Sequence, residues 1–169
     1  MGEDRICAAR PVSDHGGDDL DPLVDAVLIA SRVLVAVAAR SLAGMEEDVT
    51  LAQYRTLVVL ASRGPQNAAS LAAMLGVTAS TATRMCDRLI RKDLIRRRTA
   101  RQDRREVRLA LTEAGRRIVD EVTRLRRAEL APILAAVPRG EQAELIRALG
   151  HLNAAAGEVP DQDWATGWT

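Results

Sequence analysis

A mainly α-helical fold with one small antiparallel β-hairpin is predicted by three features of this sequence. Apolar residues recur at helical spacing in six stretches, whereas one stretch, Arg105–Leu111, switches to period two through Val107, Leu109 and Leu111. Threonines stand just before three of the helical stretches, at Thr50, Thr78 and Thr112, where a hydroxyl can accept from the free N–H groups of a first turn. Glycine and proline punctuate the gaps, at Gly64-Pro65, Gly76 and Pro138-Arg-Gly140.

Residues 1 to 20 carry Pro11, Gly16-Gly17 and scattered aspartates without periodicity, and read as a poorly ordered tail. From Asp21 to Leu42, Val24, Val27, Leu28, Leu34 and Val37 among many alanines support a helix about 30 Å long. One small domain cannot cover such a helix, so its spare apolar surface calls for a partner chain. After a break at Gly44–Asp48, Thr50-Leu-Ala-Gln53 has the form of a capping box and opens a helix to about Ser62. Its core face is Tyr54, Leu57, Val58, Leu60 and Ala61. Arg63-Gly-Pro65 ends it, and Gln66 or Asn67 opens a shorter helix that closes at Leu75 on the turn Gly76-Val77.

The segment Thr78–Lys92 has two unlike faces. On a helical wheel Ala82, Met85, Cys86 and Leu89 share one side with Ile90 at its margin, while Ser80, Arg84, Asp87, Arg88 and Arg91 cluster opposite. Short helix, glycine turn and capped helix together spell a helix-turn-helix. The runs Leu94–Arg98 and Arg105–Leu111 then form a hairpin with its tip at Arg101-Gln-Asp-Arg-Arg105, which makes the motif a winged one. Thr112 caps a long helix to about Ala136 with Ile118, Val122, Leu125, Leu130, Ile133 and Leu134. Glu141 to Ala156 forms the last helix, with Leu145, Ile146, Leu149 and Leu152 on one side. Beyond Gly157 the tail contains Pro160, Trp164 and Trp168, which suit an amphipathic packing tail better than a binding clamp.

Charge is polarised along the chain. The net +1 hides a span from Arg84 to Arg117 with thirteen basic and five acidic residues, a balance of +8, and a first fifty residues with four basic and ten acidic, a balance of −6. A localised basic surface aligned with a helix-turn-helix points to an anionic polymer, and the serine, threonine and arginine face of Thr78–Lys92 to its bases.

Leu71-Ala-x-x-Leu75-Gly76-Val77, Ser80-Thr81, Arg84, Asp87-Arg-Leu89, Leu94-Ile95, Asp103-Arg-Arg105 and Leu111-Thr-Glu-Ala-Gly115 resemble the MarR family of bacterial transcriptional regulators, closely from about Thr50 to Arg117 and loosely in the flanking helices. One departure is Asp93, where that family usually carries the glycine that ends the recognition helix, so the helix end is expected to differ slightly. The resemblance implies a homodimeric, sequence-specific DNA-binding regulator, a repressor released by a small-molecule effector, on a palindromic operator of double-stranded DNA. Ala79, Ser80, Thr81 and Arg84 would approach base edges in the major groove, with Arg88 and Arg91 at phosphates. At the wing, Asp103 would orient Arg105 into a neighbouring minor groove while Arg101 and Arg104 touch the backbone. The effector crevice is expected between the dimerisation helices and the winged domain, lined by the first helix, the Thr50 helix and the Thr112 helix. The competing reading is a winged-helix module that binds another protein through its basic face.

Other chemistries are absent from the sequence. His15 and His151 lack partners at metal-ligand spacing, and neither a glycine-rich phosphate loop nor a nucleophile-base pattern occurs, so neither an enzyme nor a cofactor is expected. Cys7 and Cys86 form no disulfide framework, which implies a reducing cytoplasm. Some members of the resembled family sense oxidants through a cysteine towards the N-terminal helix, whereas Cys86 takes a core position where a thiol is inert. No apolar run is read as approaching the roughly 20 residues that span a bilayer, and no membrane partner is expected. The predicted organisation is a tail at 1–20, a dimerisation helix at 21–45, a winged helix-turn-helix at 46–117, C-terminal dimerisation helices at 118–157 and a tail at 158–169.

Overall fold

The computed structural model describes residues 20–99, 107–159 and 164. The N-terminal tail with Cys7 and His15, the wing tip and Trp168 lie outside these described residues. Among these described residues six helices and two strands follow in order: α1 Asp21–Ala43, α2 Leu51–Arg63, α3 Ala68–Leu75, α4 Ala79–Arg91, β1 Ile95–Thr99, β2 Val107–Leu111, α5 Glu113–Ala135 and α6 Arg139–Ala155. The fold is a winged helix-turn-helix extended by long helices, as the spacing predicts. By internal contacts the chain divides into two units, residues 1–36 and 37–169.

Helix starts follow the threonines. Thr50 Oγ1 accepts from the Gln53 N–H at 3.3 Å while Gln53 Oε1 accepts from the Thr50 N–H at 3.1 Å, a complete capping box. Asn67, Thr78 and Thr112 accept from Ser70, Thr81 and Gly115 N–H in the same way, which settles Asn67 as the residue that opens α3. The larger unit has a core of Leu57, Leu60, Leu71, Leu89, Ile95 and Val119 among others, contributed by α2, α3, α4, β1 and α5. The first half of α5, through Ile118, Val119 and Val122, belongs to this core. Each fully buried aliphatic side chain there contributes about 1.5 to 3 kcal/mol.

Two turns at the ends of α3 and α4 share one geometry. At Gly76, φ 65°, the Gly76 and Val77 N–H groups return to the carbonyls of Ala73 and Ala72. At Asp93, φ 55°, the Asp93 and Leu94 N–H groups return to those of Ile90 and Leu89 in the same pattern. Asp93 therefore adopts the left-handed conformation that glycine takes freely, and closes α4 with the same turn that Gly76 gives α3. Asp93→Gly should relieve the steric cost of that conformation, offset in part by the freer unfolded chain, and stabilise by about 0.5 to 1 kcal/mol. Denaturant unfolding reads this out, and a loss of stability would assign the exposed carboxylate an attraction of its own.

The hairpin pairs Ile95 with Leu111 and Thr99 with Val107 at its ends. Val107, expected on the inward face, is exposed, while both Leu109 and Ala110 are buried. The base of the wing is thus covered on both faces. Gln66 adds a feature the periodicity did not reveal. Its N–H donates to the Leu109 carbonyl at 3.0 Å and its carbonyl accepts from the Leu109 N–H at 2.7 Å, so the link between α2 and α3 closes the free edge of β2.

The bilayer expectation needs correction. α1 is 23 residues long, and its most apolar window has a mean hydropathy of 2.0, which by length and composition suffices to cross a membrane. Asp25 and Arg32 break the run without lowering its average enough. Leu23, Val24, Leu28 and Ile29 are all at least half exposed, and α6 buries no residue, with Ile146 72% exposed.

Candidate nucleic-acid interface

The buried face of α4 consists of Ala82, Met85, Cys86 and Leu89, the four residues that its periodicity selects. Thr56 of α2 meets it with its hydroxyl 3.4 Å from the Met85 sulfur. Burial raises the pKa of the Cys86 thiol, with the nearby Asp87 carboxylate adding to the effect and the Arg97 charge opposing it. A thiol so placed is a packing group and a poor nucleophile.

With that face fixed, Ala79, Ser80, Thr81, Arg84, Arg88 and Arg91 are all exposed. Arg84 and Arg88 have no hydrogen-bond or ion-pair partner among the described residues, so their guanidinium groups keep all their donors for something outside. Arg91 instead turns its Nε back towards the Asp87 carbonyl at 3.4 Å. At the N-terminus the Thr78 hydroxyl lies 2.9 Å from that of Thr81 and 3.1 Å from that of Ser80, a hydroxyl cluster beside the positive end of the helix dipole.

Strand β1 brings three further arginines. Arg97 Nη2 donates to Asp87 Oδ1 at 2.8 Å and ties the wing to α4. Alternation along the strand places Arg96 and Arg98 on the opposite side from Arg97. Both partners of the Arg97–Asp87 pair are about half exposed, so it contributes under about 1 kcal/mol, and its effect is to set direction. In the sequence Arg97 shows only as charge, since a pair ten residues apart across a turn has no local signature. Lys92 donates to the Asp48 carbonyl and braces the end of α4 against the start of α2. The wing residues Arg101, Asp103, Arg104 and Arg105 lie outside the described residues.

A crevice of about 500 Å³ opens between α2 and α5, with Tyr54, Arg55 and Val58 on one wall and Thr123, Arg126, Arg127 and Leu130 on the other. The remaining sides come from Asn153 near the end of α6 and from Glu158, Val159 and Trp164. Its size is in the range of small-molecule sites.

The model of the MarR family matches residues 49–107. The HTH-type transcriptional repressor MdtR of Bacillus subtilis is 31% identical over 118 residues, 70% of this chain and 74% of its own. The HTH-type transcriptional regulator YpoP of the same organism is 31% identical over 75 residues, or 44% of this chain, and the match spans only 53% of YpoP. Among solved structures, RV1404 from Mycobacterium tuberculosis is 45% identical with a TM-score of 0.77, covering 83% of this chain and 96% of its own. Streptococcus pneumoniae FabT, solved in complex with DNA, is 26% identical with a TM-score of 0.63, covering 83% of this chain and 96% of its own.

Proposed function

Because this chain belongs to the MarR family of transcriptional regulators, we propose that it acts as a homodimeric cytoplasmic repressor that reads a palindromic operator and releases it when a small molecule binds. Membership by itself makes it a DNA-binding regulator and not an enzyme. The observation that carries the reading is the outward face of α4, where the Ser80 and Thr81 hydroxyls and the guanidinium groups of Arg84 and Arg88, unpartnered among the described residues, are exposed on a helix whose other side is packed.

In this reading the N-terminal half of α4 enters the major groove, Arg84 reads base edges beside Ala79, Ser80 and Thr81, and Arg88 and Arg91 meet phosphates. Arg105, held by Asp103, reaches a neighbouring minor groove, and Arg101 and Arg104 add backbone contacts. Two such helices are needed to span successive major grooves about 34 Å apart, which a dimer supplies. The apolar surfaces of α1 and α6 support that dimer. Asp25 and Arg32 lie seven residues apart and so on one face of α1, a charged stripe that suits an aqueous helix assembly better than lipid on all sides. The α2–α5 crevice is the effector site in this scheme.

Selection of bound sequences from random duplex DNA tests the reading. Arg84→Ala should relax base preference and cost on the order of 1 to 3 kcal/mol, whereas Arg88→Ala should weaken all duplexes alike and lower the salt slope by about one. If the selected consensus survives Arg84→Ala unchanged, the orientation of α4 on DNA is wrong. Failure to select any consensus with the intact protein would favour the protein-interaction reading.

A further inference from the structure

The wing has a second basic face, which the reading of bases by α4 leaves without a task. Residues directly opposite in an antiparallel ribbon share a face, and the register sets Arg96 across from Ala110 and Arg98 across from Arg108. The other face holds Ile95, Leu109 and Leu111 against the core, together with Arg97, which is tied to Asp87 of α4. Arg96, Arg98 and Arg108 therefore lie on the side away from α4. Arg96 and Arg108 are exposed and Arg98 partly so. Arg96 and Arg98 have no hydrogen-bond or ion-pair partner among the described residues, while Arg108 keeps an interaction within the chain.

This arrangement works against folding. Arg98 and Arg108 stand directly opposite, with Cβ atoms about 5 Å apart, a placement in which like charges destabilise a hairpin. Arg96 lies about 7 Å from Arg98 along the same face. The described part of that face carries no carboxylate. Three guanidinium groups gathered in this way repel one another, and a polyanion laid across them relieves the repulsion.

We propose that this outer face grips the phosphate backbone of the duplex flanking each half-site. The proposal rests on the reading in which α4 occupies a major groove and the wing the neighbouring minor groove. Two phosphate backbones border a minor groove about 6 Å wide, so a ribbon that enters it turns one face to each strand. The inner face meets the strand next to α4, and its Arg97 is engaged by Asp87. The outer face meets the far strand, beyond the base pairs that α4 reaches, and guanidinium groups bind phosphates there without regard to sequence. The length of the duplex, besides its sequence, then sets affinity.

Two duplexes with the same selected operator test this. One ends at the outermost selected base pair, and the other carries about ten further base pairs of arbitrary sequence on each side, a full helical turn. The intact protein should bind the longer duplex at least about tenfold tighter at about 0.1 M salt, with a salt slope steeper by about two per protomer. Arg96→Gln combined with Arg98→Gln should remove that gain and leave the selected consensus unchanged. Arg96→Lys combined with Arg98→Lys should keep most of it, because a sequence-independent phosphate contact asks for charge more than for a planar fork. Thermal unfolding of the glutamine variant should keep or raise the midpoint, since a like-charge pair is gone, which separates a lost grip from a lost fold. A flank gain that persists in the glutamine variant, a lowered midpoint, or a changed consensus would overturn the proposal. An intact protein that selects a consensus but ignores the flanks sinks this proposal alone, whereas one that selects no consensus takes the reading of α4 down with it.

Discussion

Gly115→Ala is expected to destabilise the folded protein by about 2 to 4 kcal/mol, although glycine to alanine inside a helix ordinarily stabilises by about 1 kcal/mol. The first turn of α5 lies so close to the end of α4 that a Cβ at Gly115 would stand 2.0 Å from the Leu94 carbonyl oxygen and 3.0 Å from a Leu111 methyl. The obstacle is backbone, and it is held from both sides. The Leu94 carbonyl accepts from the Thr112 N–H at 3.1 Å, and the Thr112 hydroxyl donates to the Asp93 carbonyl at 2.6 Å while accepting from the Gly115 N–H at 3.0 Å. Nothing in this lattice can yield without breaking a cap. Thermal unfolding should show a midpoint lower by about 5 to 12 °C for a chain of this size. An unchanged midpoint would mean that α5 can slide away from the Leu94 carbonyl.

Leu28→Asp on α1 should weaken self-association at least about a hundredfold, because two buried carboxylates per dimer would be stripped of water in an apolar seam. Leu28 is 54% exposed in the single chain, between Val24 and Ile29, which are exposed to a similar degree. Sedimentation at micromolar concentration distinguishes the outcomes. The wild type should run as a dimer and the variant as a monomer with much weakened operator binding. A wild type that is monomeric and stably folded would sink the dimer, and an unaltered dimer in the variant would move the seam off α1. If the wild type instead floated with lipid vesicles, the hydropathy of α1 would have found its cover in a bilayer.

Much of this molecule was legible before its structure, and the reasons are local. Capping threonines act within three residues, and the buried face of α4 is set by helical period, so Thr50, Thr78, Thr112 and the quartet Ala82, Met85, Cys86 and Leu89 fell where the sequence puts them. The features that escaped are long in sequence and weak in composition. Gln66 pairs with Leu109 through backbone groups that any residue carries, so no side chain announces the edge it closes. Asp87 and Arg97 meet because a turn folds β1 against α4, and the crevice is lined in part by Glu158, Val159 and Trp164, residues that periodicity assigns to a tail. The length of α1 is hidden from a search for an unbroken apolar run by Asp25 and Arg32, whereas mean hydropathy averages over them.

The turns that bracket α4 have a consequence for how such a protein changes over generations. The helix is fastened at both ends by backbone geometry and along one side by four apolar residues, and the exposed side chains of Arg84 and Arg88 take no part in fastening it. Substitutions at those positions should fall within about 0.5 kcal/mol of neutral for folding, while altering what the helix recognises. If α4 reads DNA as proposed, operator preference can drift, or be rewritten by a laboratory library, without the scaffold registering the change. In that reading, selection on sequence preference and selection on stability act on separate residues of the same thirteen-residue helix.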